Sequence, residues 1–110
     1  MTCQLFQTTL HWAQESGDYE EFKHHTADAL YTAHDERSAV EAIQHFVWDY
    51  AADRTADTLA RLSGLTKSEL ARRYNLPLNT LQKWLYGGST PSDYVLDLLA
   101  FAVLTDSLAK

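Results

Sequence analysis

Apolar residues recur along this chain at spacings of three and four, and no stretch alternates strictly between apolar and polar positions. That pattern predicts helices and no strands. Over residues 4–15, Leu5, Phe6, Leu10 and Ala13 share one side, Trp12 lies near its edge, and Gly17 ends the helix. Asp18 and Glu21 form a capping box for a second helix that runs to about residue 33. Its apolar face is Tyr19, Phe22, Thr26, Ala29, Leu30 and Ala33. Asp35 or Ser38 caps a third helix, with Val40, Ile43, Phe46, Val47, Tyr50 and Ala51 inward. Asp53 or Thr55 starts a fourth, which turns Leu59 and Leu62 inward and closes at Gly64.

The punctuation tightens after that glycine. Thr66-Lys67-Ser68-Glu69 is a second capping box, and Leu70, Ala71 and Tyr74 then fall on one helical face. Asn75 tolerates the left-handed backbone that ends a helix. Pro77 cannot continue that helix but suits the first turn of the next. Leu81, Trp84 and Leu85 are spaced to face inward, which turns Asn79, Thr80, Gln82, Lys83 and Tyr86 outward. Gly87-Gly88 stops this short helix, and Thr90-Pro91 is expected to open the last one, at about 91–105. That last helix is apolar nearly all round, from Tyr94, Val95, Leu96, Leu98 and Leu99 to Phe101, Val103 and Leu104. It needs cover on more than one side, from the N-terminal helices or from a second subunit.

Thr66, Glu69-Leu70-Ala71, Asn75-Leu76-Pro77, Leu81, Trp84, Gly87 and Pro91 together resemble the lambda-repressor/Cro-type helix-turn-helix family, often called Xre-like, over roughly residues 55–104. The implied fold is an all-α helical bundle: an acidic N-terminal helical extension, 1–54, followed by a helix-turn-helix domain, 55–110. Two positions depart from the family pattern. Asn75 stands where glycine is common. Leu85 stands where the family often has a glutamate that pairs with an arginine on the preceding helix. The resemblance implies a sequence-specific DNA-binding protein, a small transcriptional regulator, with double-stranded DNA as partner and two subunits reading two half-sites. By position in the motif, Leu78, Asn79 and Lys83 are the residues that reach base edges. Asparagine suits adenine, lysine suits guanine, and leucine suits a thymine methyl. Lys67 matches a phosphate- and base-contacting position. Thr80, Gln82 and Tyr86 complete the DNA-binding set, with Arg72, Arg73, Ser89 and Thr90 as further phosphate contacts.

Charge changes this picture less than the total suggests. The chain carries a net −6, which alone argues against nucleic acid. Residues 1–60, however, hold three basic and eleven acidic side chains, a net −8, whereas residues 61–86 hold five basic and one acidic, a net +4. The positive charge lies where phosphates would be met. The acidic extension is suited to dimerisation or to a protein partner. Two alternatives follow: a protein-interaction module, and an antitoxin-like protein whose extension holds a toxin.

The remaining chemistry is sparse. Cys3 is the one cysteine, so no internal disulfide forms, consistent with a cytoplasmic location. The first residues lack a signal-peptide pattern, and no apolar run approaches a membrane span. Glu21 and His24 make an E-x-x-H pair, but no second pair exists at that spacing. Exposed pairs at Glu20–His24, Glu21–His25 and Glu41–His45 account for the histidines more simply, so no metal or other cofactor is expected. No nucleophile elbow or glycine-rich phosphate loop is present, and no catalytic residue is assigned. Trp48 falls off the main apolar face of its helix, where exposure would mark a contact surface.

Overall fold

The computed structural model describes residues 1–109. Among them are seven helices and no strand: α1 Cys3–Glu15, α2 Tyr19–Ala33, α3 Arg37–Ala52, α4 Ala56–Ser63, α5 Lys67–Arg73, α6 Leu78–Leu85 and α7 Asp93–Leu108. The chain is therefore all-α. None of these helices is long and apolar enough to cross a membrane. The chain divides into two units, one of Met1–Asp53 with the last residues from Leu108, the other of Arg54–Ser107.

In unit 1 each of α1, α2 and α3 packs against the other two. Phe6 and Leu10 of α1, Phe22 and Leu30 of α2, and Val40, Ile43, Val47 and Tyr50 of α3 are buried. Burying each such side chain contributes about 1.5–3 kcal/mol before entropy is charged. The periodicity located most of this core. Ala29 and Ala33, expected inward, are exposed, because Phe22, Thr26 and Leu30 alone fill the narrow stripe that α2 presents. Gln44 is buried as well, and its amide donates to Thr26 Oγ1 at 3.1 Å and to the Lys23 carbonyl at 3.3 Å. Thr26 passes the chain on by donating to the Phe22 carbonyl. A buried polar group needs such partners, and these tie α3 to α2.

Three local expectations shift. Asp18 accepts from the Glu21 backbone N–H, but Glu21 reaches back one residue further than a capping box requires, to the Gly17 N–H at 3.0 Å. The third helix has Glu36 as its N-cap, with no side-chain capping bond, so neither Asp35 nor Ser38 caps it. Trp48 is half-buried, its ring 5.3 Å from Phe22 and 5.7 Å from Tyr19, so α2 aromatics cover much of it. The histidines join the same surface. His25 stacks on Trp12 at 4.4 Å and lies 3.6 Å from Glu21, while His45 stacks on Tyr19 at 5.0 Å rather than pairing with Glu41. Among the described residues no group of three His, Cys, Asp or Glu is placed to hold a metal ion.

His34, at the C-cap of α2, keeps Nε2 buried without a hydrogen-bond partner. Burial, then the N-terminal ammonium, lower its pKa against the opposing pull of Asp35. Above the ordinary value of 6.5 the imidazole is neutral in both folded and unfolded chains. Below it the unfolded chain takes up the proton first, so acidification costs stability. A His34→Leu variant is expected to melt with a shallower acid dependence than the parent when Tm is followed from pH 7.5 to pH 5. Parallel curves for the two proteins would show that His34 contributes nothing to it.

In unit 2, α4, α5 and α6 pack on one another. Leu59, Leu70, Ala71 and Leu81 are buried, as are Leu96, Leu99, Ala100, Val103 and Leu104 of α7. Arg54 reaches α7 in two places. Its guanidinium donates through Nε to Asp97 Oδ1 at 3.0 Å and through Nη2 to Asp97 Oδ2, and Nη1 lies 3.6 Å from Asp93. The helix begins at Asp93, two residues later than expected. Ser92 rather than Thr90 precedes its first turn, its carbonyl accepting from Leu96 N–H and its hydroxyl from Val95 N–H. A serine hydroxyl placed after Pro91 reaches the orphan N–H groups that Thr90 lies too far upstream to serve.

Candidate nucleic-acid interface

The segment 66–90 is built from local signals. Thr66 Oγ1 accepts from the Glu69 N–H at 3.2 Å, and Glu69 Oε1 accepts from the Thr66 N–H at 3.0 Å, closing the reciprocal box at the start of α5. The Thr66 bonds, backbone first, hold the Glu69 carboxyl below its ordinary pKa. Leu70 and Ala71 bury the inner face of α5. Asn75 takes φ 54, the left-handed conformation that allows the chain to leave α5 sharply. Leu76 N–H then donates to the Ala71 carbonyl at 2.8 Å. Pro77 stands as N-cap of α6, one position before the first-turn site expected for it. Its fixed φ suits the extended entry that position requires.

Leu81 is the fully buried anchor of α6, with Trp84 and Leu85 half-buried beside it. Trp84 lines a small cavity of about 120 Å³ with Ala56 and Leu96. Gly87, at φ 82, terminates α6, and the N–H groups of Gly88 and Ser89 both donate to the Lys83 carbonyl. A side chain at Gly87 would be strained in that conformation.

The opposite side of α6 is open. Leu78, Asn79, Lys83 and Tyr86 are exposed, and Gln82 between them is half-exposed. Thr80 is also half-exposed and sits toward Trp84, at the edge of this face. Asn79 Oδ1 accepts from the Thr80 N–H at 3.0 Å, which holds the amide at the first turn. Lys67 and Tyr86 come together across nineteen residues. The Lys67 ammonium lies 4.7 Å from the centre of the Tyr86 ring and hydrogen-bonds the phenol oxygen. This contact joins the start of α5 to the end of α6, and the sequence held no signal for it beyond two exposed side chains. Arg72 and Arg73 are exposed on the same short helix.

Tyr74 pins the link between the two helices. It donates to Asp106 Oδ2 of α7 at 2.7 Å. Burial first, and then this carboxylate, push its pKa up to about 12. The phenol therefore remains a donor throughout the neutral range. Comparison of the chain with protein-family models, with curated proteins and with solved structures returned no match.

Proposed function

We propose that unit 2 binds double-stranded DNA as a lambda-repressor/Cro-type helix-turn-helix, with α6 in the major groove, and that the protein is a small transcriptional regulator. The observation that carries this reading is the exposed face of α6. It presents Leu78, Asn79, Gln82 and Lys83 to solvent beside Lys67 and Tyr86, within residues 61–86, whose net charge is +4. Asn79 and Lys83 supply base-edge contacts, and Leu78 offers an apolar contact for a thymine methyl. Lys67, Thr80, Tyr86 and the two arginines of α5 supply phosphate contacts that set register and salt dependence.

A selection from random duplex DNA followed by a band-shift titration tests this. The parent is expected to enrich one motif and to bind it more weakly as salt rises. Asn79→Ala with Lys83→Ala is expected to lose about tenfold or more in affinity for that motif, since each base contact is worth about 1–3 kcal/mol. Lys67→Ala is expected to weaken binding to all sequences alike and to flatten the salt slope by about one unit. No shift at low salt would overturn the proposal.

A second reading rests on residues 1–53, which hold two basic and ten acidic side chains. A unit so charged suits a basic protein partner. Salt-sensitive capture of one protein by residues 1–53, with no DNA shift by the full chain, would favour it.

A further inference from the structure

We propose that the groove between α2 and α3 is a binding site for a free α-amino acid, held in its zwitterionic form. The groove has a volume of about 440 Å³, within the range of small-molecule sites. It lies wholly in unit 1 and is independent of whether DNA is a ligand of unit 2. Its charge is not that of the surface around it. Residues 1–53 hold ten acidic side chains and two basic ones, Lys23 and Arg37, and both basic ones line this groove.

One contact sets the register of its walls. Gln44 donates across to the Lys23 carbonyl, and only residues 34–36 join the two helices, so they run antiparallel. Ala27 then stands opposite Glu41, and Tyr31 opposite Arg37. Ala27 offers a single methyl group, which leaves the space between the walls open. Gln44, 3% exposed, is the buried polar group of the lining. Both hydrogens of its amide are given to Thr26 and Lys23, so its oxygen is what it has left for a ligand. That oxygen selects a donor. Glu41 lies one turn away on the same face of α3, and Arg37 one turn beyond Glu41. An ammonium between Gln44 and Glu41 therefore has its own carboxylate within reach of Arg37. Arg37 meets Glu41 through Nε at 2.8 Å, a bond that does not use its two terminal nitrogens. Lys23 and Glu20, 4.0 Å apart, form the other end of the groove and meet the side chain of the ligand. A simple anion would face Glu20 and Glu41, and a simple cation Lys23 and Arg37. A molecule carrying both charges on one carbon matches the alternation. Arg37 and Glu41 are exposed, and such a pair contributes little in the free protein, so adjusting it to a ligand costs little.

Titration of the full chain with each of the common L-α-amino acids, followed by calorimetry and amide NMR shifts, tests this. At least one is expected to bind with a Kd of about 1 mM or tighter and to move the amides of Ala27, Tyr31, Glu41 and Gln44. Its N-acetyl derivative, which lacks the ammonium, and its decarboxylated amine are each expected to bind about tenfold or more weakly. Ala27→Leu fills the groove and leaves every charge in place; it is expected to abolish binding with helicity and melting unchanged. Arg37→Gln is expected to weaken the amino acid by about tenfold or more and to leave the decarboxylated amine unaffected, since that ligand has no carboxylate for Arg37 to hold. A panel in which no amino acid reaches that affinity would overturn the proposal. So would an amino acid whose binding persists in Ala27→Leu, or one matched in affinity by its amine or its N-acetyl derivative.

Discussion

Arg54→Met is expected to cost unit 2 about 3 kcal/mol or more, because it leaves a buried carboxylate without its guanidinium. Asp97 is 7% exposed, and Arg54 meets both of its oxygens. Asp93, 77% exposed in its side chain, contributes little to the pair. A double substitution, Arg54→Met with Asp97→Leu, is expected to recover most of the loss, since a packed apolar pair avoids the desolvation that the ions require. Urea unfolding followed by Trp84 fluorescence in a Trp12→Phe, Trp48→Phe background measures both. A single variant that loses less than about 1 kcal/mol would show that Asp97 is solvated well enough without Arg54.

Leu81→Ala is expected to remove about 2–5 kcal/mol, the range for emptying a leucine site in a packed core. Leu81 is fully buried on a helix of only eight residues. A helix that short does not persist in water without its packing contacts. Stability and DNA affinity are therefore expected to fall together in this variant. They are expected to separate in Asn79→Ala with Lys83→Ala, whose side chains lie outside the core. Binding that survives Leu81→Ala at full strength would mean that another surface carries the contact.

The segments read most directly from the chain are those governed by near neighbours. The Thr66–Glu69 box, the left-handed Asn75 and the stop at Gly87 each depend on residues within a turn or so. So do the inward stripes of α1 and α3, whose period follows from helix geometry. The outward face of α6 was legible for the same reason, since placing Leu81 inward turns Asn79 and Lys83 outward. The start of the last helix was misplaced: the residue pattern pointed to Thr90 as N-cap, whereas the path of the chain after Pro91 gives that position to Ser92.

What lay beyond the reading was long-range. Arg54 counted as one charge of an acidic half until the fold set it against Asp97, forty-three residues away. Tyr74 and Asp106 are thirty-two apart, and Lys67 and Tyr86 nineteen. Helix positions and their apolar sides follow from the order of residues, because backbone hydrogen bonds close over four positions and side chains repeat every three or four. Pairing of charges, burial of Gln44, cover for Trp48 and exposure of Tyr94, Val95 and Leu98 were decided by tertiary structure. Each depends on which distant segment arrives to share a surface, and periodicity within one helix carries no information about its neighbours.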